Sequence, residues 1–380
     1  MKKILFVIPE YSQGGTNKSL ENLLSLIDKN KYDIKIFCIY EDGGDYYKKV
    51  FAPYIIEKSR LYYILHDNVV TRKAMGIYNR ITKRNNFSWL YKREINIIQS
   101  HYLFDKVIAY QEGLATYFVS YFYEDVSKIA WVHCDYKDWA NENQKKYDKS
   151  IYQLYKKIVC VSETSKESFC SVFPEHKEKS ISIYNALNDN AIEQMSNCNI
   201  CFPFSDNTFF NILSVGRLTD VKQFDKIPLI VSTLDKIAIG KIRWYVIGEG
   251  YQKEMISNEI KKRGLENTIF LLGPHDNPYP YFKLADLFVC TSDSESFSYT
   301  IFESKILHTP VLSNNFPVAY EVLDKNCGWI CSIEEMPYLL SKIINDKGGV
   351  YSQMKEKIKN YKYSNNDTVK KIELLLKGIS

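Results

Sequence analysis

No run of apolar residues in this chain of 380 residues reaches the length of about 18 that a transmembrane helix requires. The N-terminus, MKKILFVIPEYSQGG, lacks a convincing signal-peptide cleavage site, and its short apolar run is typical of a first buried strand. The composition excludes the disordered and collagen-like classes, because 45% of the residues are hydrophobic and 25% are charged. A chain of this length predicts two domains.

Several signatures of nucleotide-dependent enzymes and hydrolases are also missing. The fingerprint G-x-G-x-x-G does not follow the first apolar run, where Gly14-Gly15 stands instead, and Gly248–Gly250 matches only part of it. The absence of G-x4-G-K-[ST] argues against a P-loop nucleoside triphosphatase. The absence of G-x-S-x-G argues against an α/β-hydrolase.

Nine cysteines are scattered along a chain that has no recognisable export signal, which is typical of reduced thiols. The pairs Cys198/Cys201 and Cys327/Cys331 lack the second tightly spaced pair that zinc ligands usually have. We therefore predict no metal site.

Short, continuous apolar runs alternate with helical segments in both halves of the chain. Continuous runs predict strands covered on both faces, and hence an α/β fold with parallel sheets and ligands at the carboxyl ends of the strands. The predicted strands are Ile4–Ile8, Ile34–Ile39, Val107–Ala109, Ile129–Val132, Ile158–Val161, Ser180–Ile183, Phe210–Val215, Trp244–Ile247, Ile269–Leu272, Leu287–Cys290 and Val311–Leu312.

A polar stretch that includes Pro203 interrupts this alternation. We therefore predict two Rossmann-like domains, over 1–188 and 207–348, joined by a linker over 189–206. The last residues, 349–380, are rich in Lys and Asn and predict helices with a polar face, which we expect to pack back on the first domain.

The predicted strand that ends near Val215 is followed by Gly216 and Arg217, and Lys222 comes five residues after Arg217. A strand end with these residues beside a helix start suits a diphosphate, because Arg offers a planar fork of donors and Lys a point charge. The alternative is two solvated surface cations.

Two carboxylates follow the strand that ends near Cys290. Glu295 stands in a polar loop, and Glu303 lies eight residues later, inside a predicted helix with apolar neighbours. Both can face one cleft, with the N–H groups of the helix N-terminus between them. This layout offers acceptors for sugar hydroxyls and donors for phosphate. The alternative is that Glu295 is only an N-terminal charge and Glu303 lies on a solvated helix face.

At this point the ordered set of motifs resembles the GT-B glycosyltransferases, and the chain is similar to glycosyltransferase family 4 along most of its length. The matching segments are Gly14-Gly15, Trp131–His133, Val159–Glu163, Ile183–Asn185, Gly216-Arg217 with Lys222, Val246–Gly250, Phe270–Gly273, the E-x7-E motif Glu295–Glu303 and Thr309–Val311.

The resemblance implies a GT-B fold in which two Rossmann-like domains face a central cleft, the first on the acceptor side and the second binding a nucleotide sugar. It implies retaining transfer from a nucleoside-diphosphate sugar, which we expect to be a UDP-hexose or UDP-N-acetylhexosamine. The expected acceptor is a glycan or lipid-linked glycan in bacterial surface polysaccharide synthesis, such as capsule or O-antigen. No metal or other cofactor is expected. The expected location of the protein is the cytoplasm.

The resemblance also implies roles for individual residues. Glu295 contacts the donor sugar and Glu303 the ribose, while Arg217 and Lys222 stabilise the leaving diphosphate. His133 contacts the donor sugar near the reacting centre, and its alternative is a satisfied core histidine. The expected donor-binding residues are Gly14, Gly15, Gly216, Ser296, Phe297, Ser298 and Glu303, with backbone N–H groups at Ser296–Ser298 assisting.

The chain departs from the family at three positions. Ser296 and Ser298 stand where the family usually has glycines after the first Glu, and Gln223 stands in place of the glycine after the Lys. Because these side chains lie where backbone should approach phosphate, the donor sugar and the phosphate contacts stay open. Two alternative functions also stay open: a non-catalytic nucleotide-sugar or glycan-binding protein, and a sugar-nucleotide 2-epimerase.

The net charge of +5 is concentrated in residues 58–93, which hold nine basic residues and one acidic residue, Asp67. Cations interleaved with aromatic residues suit peripheral binding to an anionic membrane surface. The alternative is a solvated helix face whose aromatic residues lie in the core. No nucleic-acid-binding motif occurs, so nucleic acid is not expected as a partner.

Overall fold

The chain forms two units, each built around a six-stranded sheet in which all neighbouring strands are parallel. The computed structural model describes residues 1–12, 14–68, 70–73, 77, 87–143, 149–199 and 208–378. One unit comprises Met1–Leu187 and Asn365–Ser380, and the other comprises Asn188–Ser364. The expected α/β architecture with two Rossmann-like units is confirmed.

The first sheet has the strand order β2-β1-β3-β4-β5-β6. Its strands are β1 (Lys2–Ile8), β2 (Tyr32–Cys38), β3 (Lys106–Ala109), β4 (Ser127–Val132), β5 (Lys157–Cys160) and β6 (Ser180–Ser182). Every residue of Ile4–Ile8 is 0% exposed, as expected for a strand covered on both faces.

The second sheet has the order β12-β11-β10-β7-β8-β9. Its strands are β7 (Phe210–Val215), β8 (Ile242–Ile247), β9 (Ile269–Gly273), β10 (Leu287–Cys290), β11 (Val311–Asn314) and β12 (Gly328–Cys331). The predicted strands did not include β12, which begins with a glycine and lies at the edge of the sheet, where only its first residue is fully buried.

Helices alternate with the strands in both units. The α-helices of the described residues are α1 (Gly15–Leu26), α2 (Asp45–Phe51), α3 (Arg60–Tyr62), α4 (Phe87–His101), α5 (Leu114–Ser120), α6 (Tyr136–Asn143), α7 (Glu163–Val172), α8 (Asp189–Ser196), α9 (Ile227–Thr233), α10 (Lys236–Ile239), α11 (Lys253–Lys262), α12 (Tyr279–Leu284), α13 (Tyr299–Ile306), α14 (Pro317–Val322), α15 (Met336–Ile344), α16 (Val350–Ile358) and α17 (Asn366–Lys377). A π-helical turn covers Tyr63–Asp67, and 3-10 turns cover Ala52–Tyr54, Lys149–Leu154, Pro174–Lys179, Asp220–Lys222, Phe224–Lys226 and Lys347–Gly349.

Two expected boundaries differ from the structure. The segment 189–206, expected as a linker, begins with helix α8, which buries Ile192 and belongs to the second unit. Positions 200–206 of that segment lie outside the described residues. Of the residues expected to pack on the first domain, 349–380, only α17 belongs to the first unit. Helix α16 belongs to the second, because Val350 and Tyr351 pack on that unit's core.

None of the helices in the described part of the chain is long and apolar enough to cross a membrane.

The first strand of each unit lies inside its sheet, so that the strands that follow add to both sides. In the second unit, β8 pairs with one side of β7 and β10 with the other. The chain after β7 leads to one side of the sheet and the chain after β10 to the other, and open α/β sheets bind ligands at the carboxyl edge where such a reversal occurs. In the first unit, the order of strands reverses in the same way between β1 and β3, and a ligand is expected at the carboxyl ends of these two strands.

Two glycines after β8 hold the loop that leaves β7. A Cβ atom on Gly248, whose φ is +148°, would lie 1.8 Å from the carbonyl oxygen of Gly216. A Cβ atom on Gly250 would lie 2.3 Å from the carbonyl oxygen of Leu218. Only glycine permits this close approach, so the segment that matched part of a nucleotide fingerprint supports the backbone on either side of Arg217.

We predict that Gly248→Ala destabilises the protein by at least about 2 kcal/mol, because its methyl group overlaps the Gly216 carbonyl. Thermal unfolding measured by calorimetry tests this. Gly240→Ala is the matched control, since the Gly240 backbone is right-handed and the nearest atom to its added Cβ would be 3.7 Å away. Equal unfolding temperatures for the two variants would contradict the close packing.

Candidate functional site

The loops after β7 and β10 are joined to each other at the carboxyl edge of the second sheet. The hydroxyl of Thr291 donates to the carbonyl oxygen of Lys222 at 2.7 Å. The backbone N–H of Asp293 donates to the carbonyl oxygen of Val221 at 2.8 Å. These bonds bring the Arg–Lys segment and the first carboxylate of the E-x7-E motif to one place.

Lys222 and Glu295 form an ion pair between these loops, through the Nζ and Oε1 atoms. Their side chains are only 19% and 14% exposed. The Ser292 hydroxyl donates to the same Oε1 atom at 2.8 Å, and the amide of Asn314, on β11, donates to the Ser292 carbonyl at 3.0 Å. The carboxylate of Glu295 is thus oriented through its Oε1 atom.

The ammonium group of Lys222 stays charged in this setting. Burial alone would lower its pKa, but the neighbouring Glu295 carboxylate outweighs burial and the pKa is raised above its ordinary value. Arg217 acts in the opposite direction on the same group, so the two cations influence each other. The Arg217 side chain is exposed and has no hydrogen bond or ion pair to a described residue. The structure thus supplies one paired and one available cation.

Gly216 lies beside the Lys222 side chain. A Cβ atom at this position would lie 3.5 Å from the Cδ and Cε atoms of Lys222 and 3.3 Å from the ring of Phe224. The glycine therefore leaves room for the lysine chain to reach Glu295.

Glu303, on α13, is 2% exposed, so the alternative of a solvated helix face is wrong. The hydroxyl of Tyr279, on α12, donates to its Oε1 atom at 3.3 Å. Phe297 is also buried and stacks on Phe302 with 4.8 Å between ring centroids, which anchors the segment between the two carboxylates.

Two of the three positions where the chain departs from the family's glycines have left-handed backbone. Ser298, the residue before α13, has a φ of 61°, and Gln223, directly after Lys222, has a φ of 50°. This conformation favours glycine and costs about 1–3 kcal/mol for other residues. The Ser298 hydroxyl is buried without a hydrogen-bond partner among the described residues. The backbone needed at these positions is retained although the glycines are not.

In the first unit, Gly14 and Gly15 lie at the start of α1, directly after the loop that leaves β1. Gly14 has an extended backbone, and a Cβ atom on it would meet no atom of the described residues within 4 Å. The buried side chain of Asn17 donates to the carbonyl oxygens of Glu10 and Ser12, at 3.0 and 2.8 Å, and so shapes this loop. Open space lies beside the glycine.

His133 follows β4 in the first unit, and its ring packs 5.0 Å from the ring of Tyr110. Burial lowers the pKa of His133 to about 3, so the imidazole is neutral at physiological pH. Its Nε2 atom is inaccessible and has no hydrogen-bond partner among the described residues. Among the described residues, this nitrogen therefore lacks the partner that a fully satisfied core histidine has.

The sequence did not predict the residues that hydrogen-bond to the site residues and their loops. These residues are Asn17, Tyr279, Ser292 and Asn314. Only Ser292 carried a local signal, because it lies three residues before Glu295 in the same loop.

Residues 58–93 divide between core and surface. Lys58 is 6% exposed at its side chain and pairs with Asp67 at 2.7 Å, and Arg72 pairs with Asp42 at 2.6 Å. Tyr62, Leu90 and Tyr91 belong to the core of the first unit, whereas Tyr63, Ile77 and Trp89 are about half exposed or more. The exposed cations of the described part are Arg60, Lys73, Lys92 and Arg93, while Ile81, Arg80, Lys83 and Arg84 lie outside it.

Among the residues that the structure describes, no group of three or more His, Cys, Asp or Glu side chains is arranged to hold a metal ion. Cys201 of the cysteine pair considered above lies outside these residues.

The second unit matches a known enzyme family. Residues 203–365 match the family described as glycosyl transferases group 1. The chain is 24% identical over 335 residues to the O-antigen biosynthesis glycosyltransferase WclY of Escherichia coli, which covers 86% of this chain and 83% of that protein.

Solved structures resemble the chain over its whole length. The structure of Anabaena Alr3699/HepE in complex with UDP-glucose has a TM-score of 0.76 and 14% identity, and all of each chain is covered. WaaG, a glycosyltransferase involved in lipopolysaccharide biosynthesis, has a TM-score of 0.64 and 15% identity, with 99% of this chain and 100% of that one covered. These structures share the fold and confirm the expected GT-B architecture. The family match and the similarity to WclY confirm the glycosyltransferase class.

We predict that Ser298→Gly stabilises the protein by about 1 kcal/mol, because it relieves the left-handed backbone and removes a buried hydroxyl without a partner. Ser298→Ala is the matched variant, which removes the hydroxyl but keeps the Cβ atom and should stabilise less. Chemical unfolding measures both. A less stable Ser298→Gly would contradict this explanation.

Proposed function

We propose that this chain, a glycosyltransferase with the GT-B fold, transfers a hexose or N-acetylhexosamine from a UDP-sugar to a glycan or lipid-linked glycan acceptor, with retention of configuration. The observation that carries the proposal is the ion pair of Lys222 with Glu295 at the carboxyl edge of the second sheet. The pair supports the proposal because a cation that can bind a diphosphate lies beside a carboxylate that can accept sugar hydroxyls.

The charges suit the departure of a diphosphate. In the proposed reaction the bond between the anomeric carbon and a diphosphate oxygen breaks, the bond to the acceptor oxygen forms, and the acceptor hydroxyl passes its proton to the departing diphosphate. Negative charge grows on the departing diphosphate, and Lys222 and Arg217 are held where preorganised positive charge stabilises it. These two cations supply that charge without a bound metal in this proposal, and N–H groups at Ser296–Ser298 assist.

His133 has a narrower role in this proposal. An imidazole whose pKa is about 3 is a poor base near pH 7, so His133 does not remove the acceptor proton. A neutral imidazole can make a hydrogen bond to a sugar hydroxyl, and the lowered pKa keeps the His133 ring neutral. We assign it to the donor sugar, together with open space beside Gly14 for the same ligand.

The names of similar proteins support the donor and the pathway class. A relative acts in O-antigen biosynthesis, and a structure of the same fold was obtained with UDP-glucose. We therefore propose a role in the synthesis of a bacterial surface polysaccharide. Glu303, buried with Tyr279, is assigned to the ribose of the donor.

Incubation with a panel of UDP-, GDP- and TDP-sugars tests the function. Nucleotide release from one donor in the presence of acceptor, with the anomeric configuration retained in the product NMR spectrum, supports transfer. An isomerised donor would show an epimerase, and binding without turnover would show a non-catalytic protein.

We predict opposite effects of Glu295→Gln on turnover and on nucleotide binding. Turnover should fall at least about 100-fold, as for loss of a transition-state contact. Affinity for UDP should rise about fivefold, because Lys222 loses its competing carboxylate and one such ion pair contributes about 1 kcal/mol. Assays of turnover and calorimetric titration with UDP measure the two effects.

Lys222→Ala combined with Arg217→Ala should abolish transfer and weaken UDP binding while the fold stays intact. The matched control is Lys226→Ala, a half-exposed cation nearby that pairs only with its neighbour Asp225 among the described residues. Retained turnover in the folded double variant would rule out the diphosphate assignment.

We further propose that the exposed part of residues 58–93 binds an anionic membrane surface, at the cytoplasmic face where a lipid-linked acceptor is presented. Trp89 and Lys92 are exposed and lie three residues apart on α4, so they share one face of the helix. Tyr63 and Arg60 are exposed on the segment before it. The internally paired cations Lys58 and Arg72 are excluded from this surface.

Sedimentation with liposomes tests the membrane proposal. Binding should require anionic lipid and weaken with salt, since each cation contributes about 1 kcal/mol near such a surface. The double variant Trp89→Ala with Lys92→Ala should bind at least about fivefold less, whereas Lys177→Ala, an exposed cation on another turn of the same unit, should not. Binding that ignores lipid charge and salt would reject the proposal.

A further inference from the structure

Glu112 is a buried carboxylate at the carboxyl edge of the first sheet. It is 7% exposed, and no cation pairs with it among the described residues. Its Oε2 atom accepts the backbone N–H of His133 at 2.8 Å. The thiol of Cys134 and the backbone N–H of Glu112 itself also favour the charged form of this carboxylate and so act to lower its pKa. The charge is therefore held by hydrogen-bond donors alone.

The position of Glu112 in the fold is that of a ligand site. Glu112 follows β3, which pairs with β1 at the point where the order of the first sheet reverses. His133 follows the next strand, β4. The ring of Tyr110 packs against the His133 ring, and the Tyr110 hydroxyl is hydrogen-bonded to the Ser19 hydroxyl at 2.8 Å. Tyr110 thus packs against the ring of His133, and Glu112 holds its backbone N–H.

A carboxylate without a cation is a costly way to stabilise a strand end. Burying an unpaired charge is unfavourable, and a neutral side chain could accept the same backbone N–H. Buried titratable groups of this kind concentrate at functional sites. We propose that Glu112 is a positioning residue that orients His133 for sugar transfer by holding its backbone N–H. This inference rests on the proposed function of His133.

The surroundings of Glu112 link this role to pH. Burial raises the pKa of Glu112, so it takes up a proton at a higher pH than an ordinary carboxyl group. The titratable groups that face it are Cys134, Cys160, Tyr136 and Tyr152, and burial raises the pKa of each, so they stay neutral near pH 7. Protonation adds an O–H donor where three donors already converge, which weakens the bond to His133 as the pH falls.

The test compares Glu112→Gln with Glu94→Gln. Glu94 is another buried carboxylate of the first unit and accepts the backbone N–H of Ser59 at 2.7 Å. Glu112→Gln should lower kcat about 10- to 100-fold, since small misplacement of a site group has effects of this size, with the donor KM changed less than about twofold. The acid limb of the wild-type pH profile should disappear. Glu94→Gln should keep both kcat and the profile.

A second measurement reports position independently of turnover. In protein labelled with 13C- and 15N-histidine, the imidazole signals of His133, assigned with His133→Asn, should shift in Glu112→Gln but not in Glu94→Gln. Unshifted signals with unchanged kcat and pH profile would overturn the inference. Wild-type protein that turns over no nucleotide sugar would instead refute the proposed function, and the signals would still test the orientation.

Glu112→Asp covers the case in which Glu112→Gln does not fold. It keeps the charge but withdraws the acceptor by one methylene, so kcat should fall while the acid limb remains. Wild-type kcat in folded Glu112→Asp, with unshifted His133 signals, would overturn the inference as well.

Discussion

The parallel pairing of β7 with β10 is the constraint on which the candidate site of the second unit depends. Lys222 and Glu295 are 73 residues apart in the chain, so local structure alone cannot bring them into contact. Parallel neighbours end at the same edge of a sheet, so the loops that follow them meet. Two hydrogen bonds between these loops and the ion pair then hold both charges in one place.

The two units treat buried negative charge differently. In the second unit, the Glu295 carboxylate is matched by Lys222 and oriented by Ser292, so the charge is stable without a ligand. In the first unit, the Glu112 carboxylate has only hydrogen-bond donors, and its pKa is raised. When an anion binds beside Lys222, the lysine must exchange the Glu295 carboxylate for the anion. Glu112 has no cation to lose, so it can keep its hydrogen bond to the His133 backbone throughout. This difference is consistent with ligand binding by the Lys222–Glu295 pair and with positioning of His133 by Glu112.

Local residue type and backbone conformation disagree where the chain departs from its family. Ser298 and Gln223 carry side chains in left-handed positions that glycine adopts without strain. The tertiary structure imposes this backbone because Ser298 precedes α13, between the two motif carboxylates, and Gln223 closes the turn after Lys222. Substitution of the glycines therefore does not by itself argue against a donor site, since the path of the chain is kept.

Continuous apolar runs were enough to predict most strands and the order of the motifs, because a strand covered on both faces needs apolar residues at every position. The partly exposed edge strand Gly328–Cys331, and helix α8 with its few apolar residues, carry too little of that signal. The partners of the site residues, such as Tyr279 for Glu303 and Glu112 for His133, were decided only by the tertiary structure. So was the division of residues 58–93, where Lys58 is buried in an ion pair and Trp89 is exposed. The physical reason is that sequence periodicity records whether a segment is covered, whereas strand order determines which distant segments cover it.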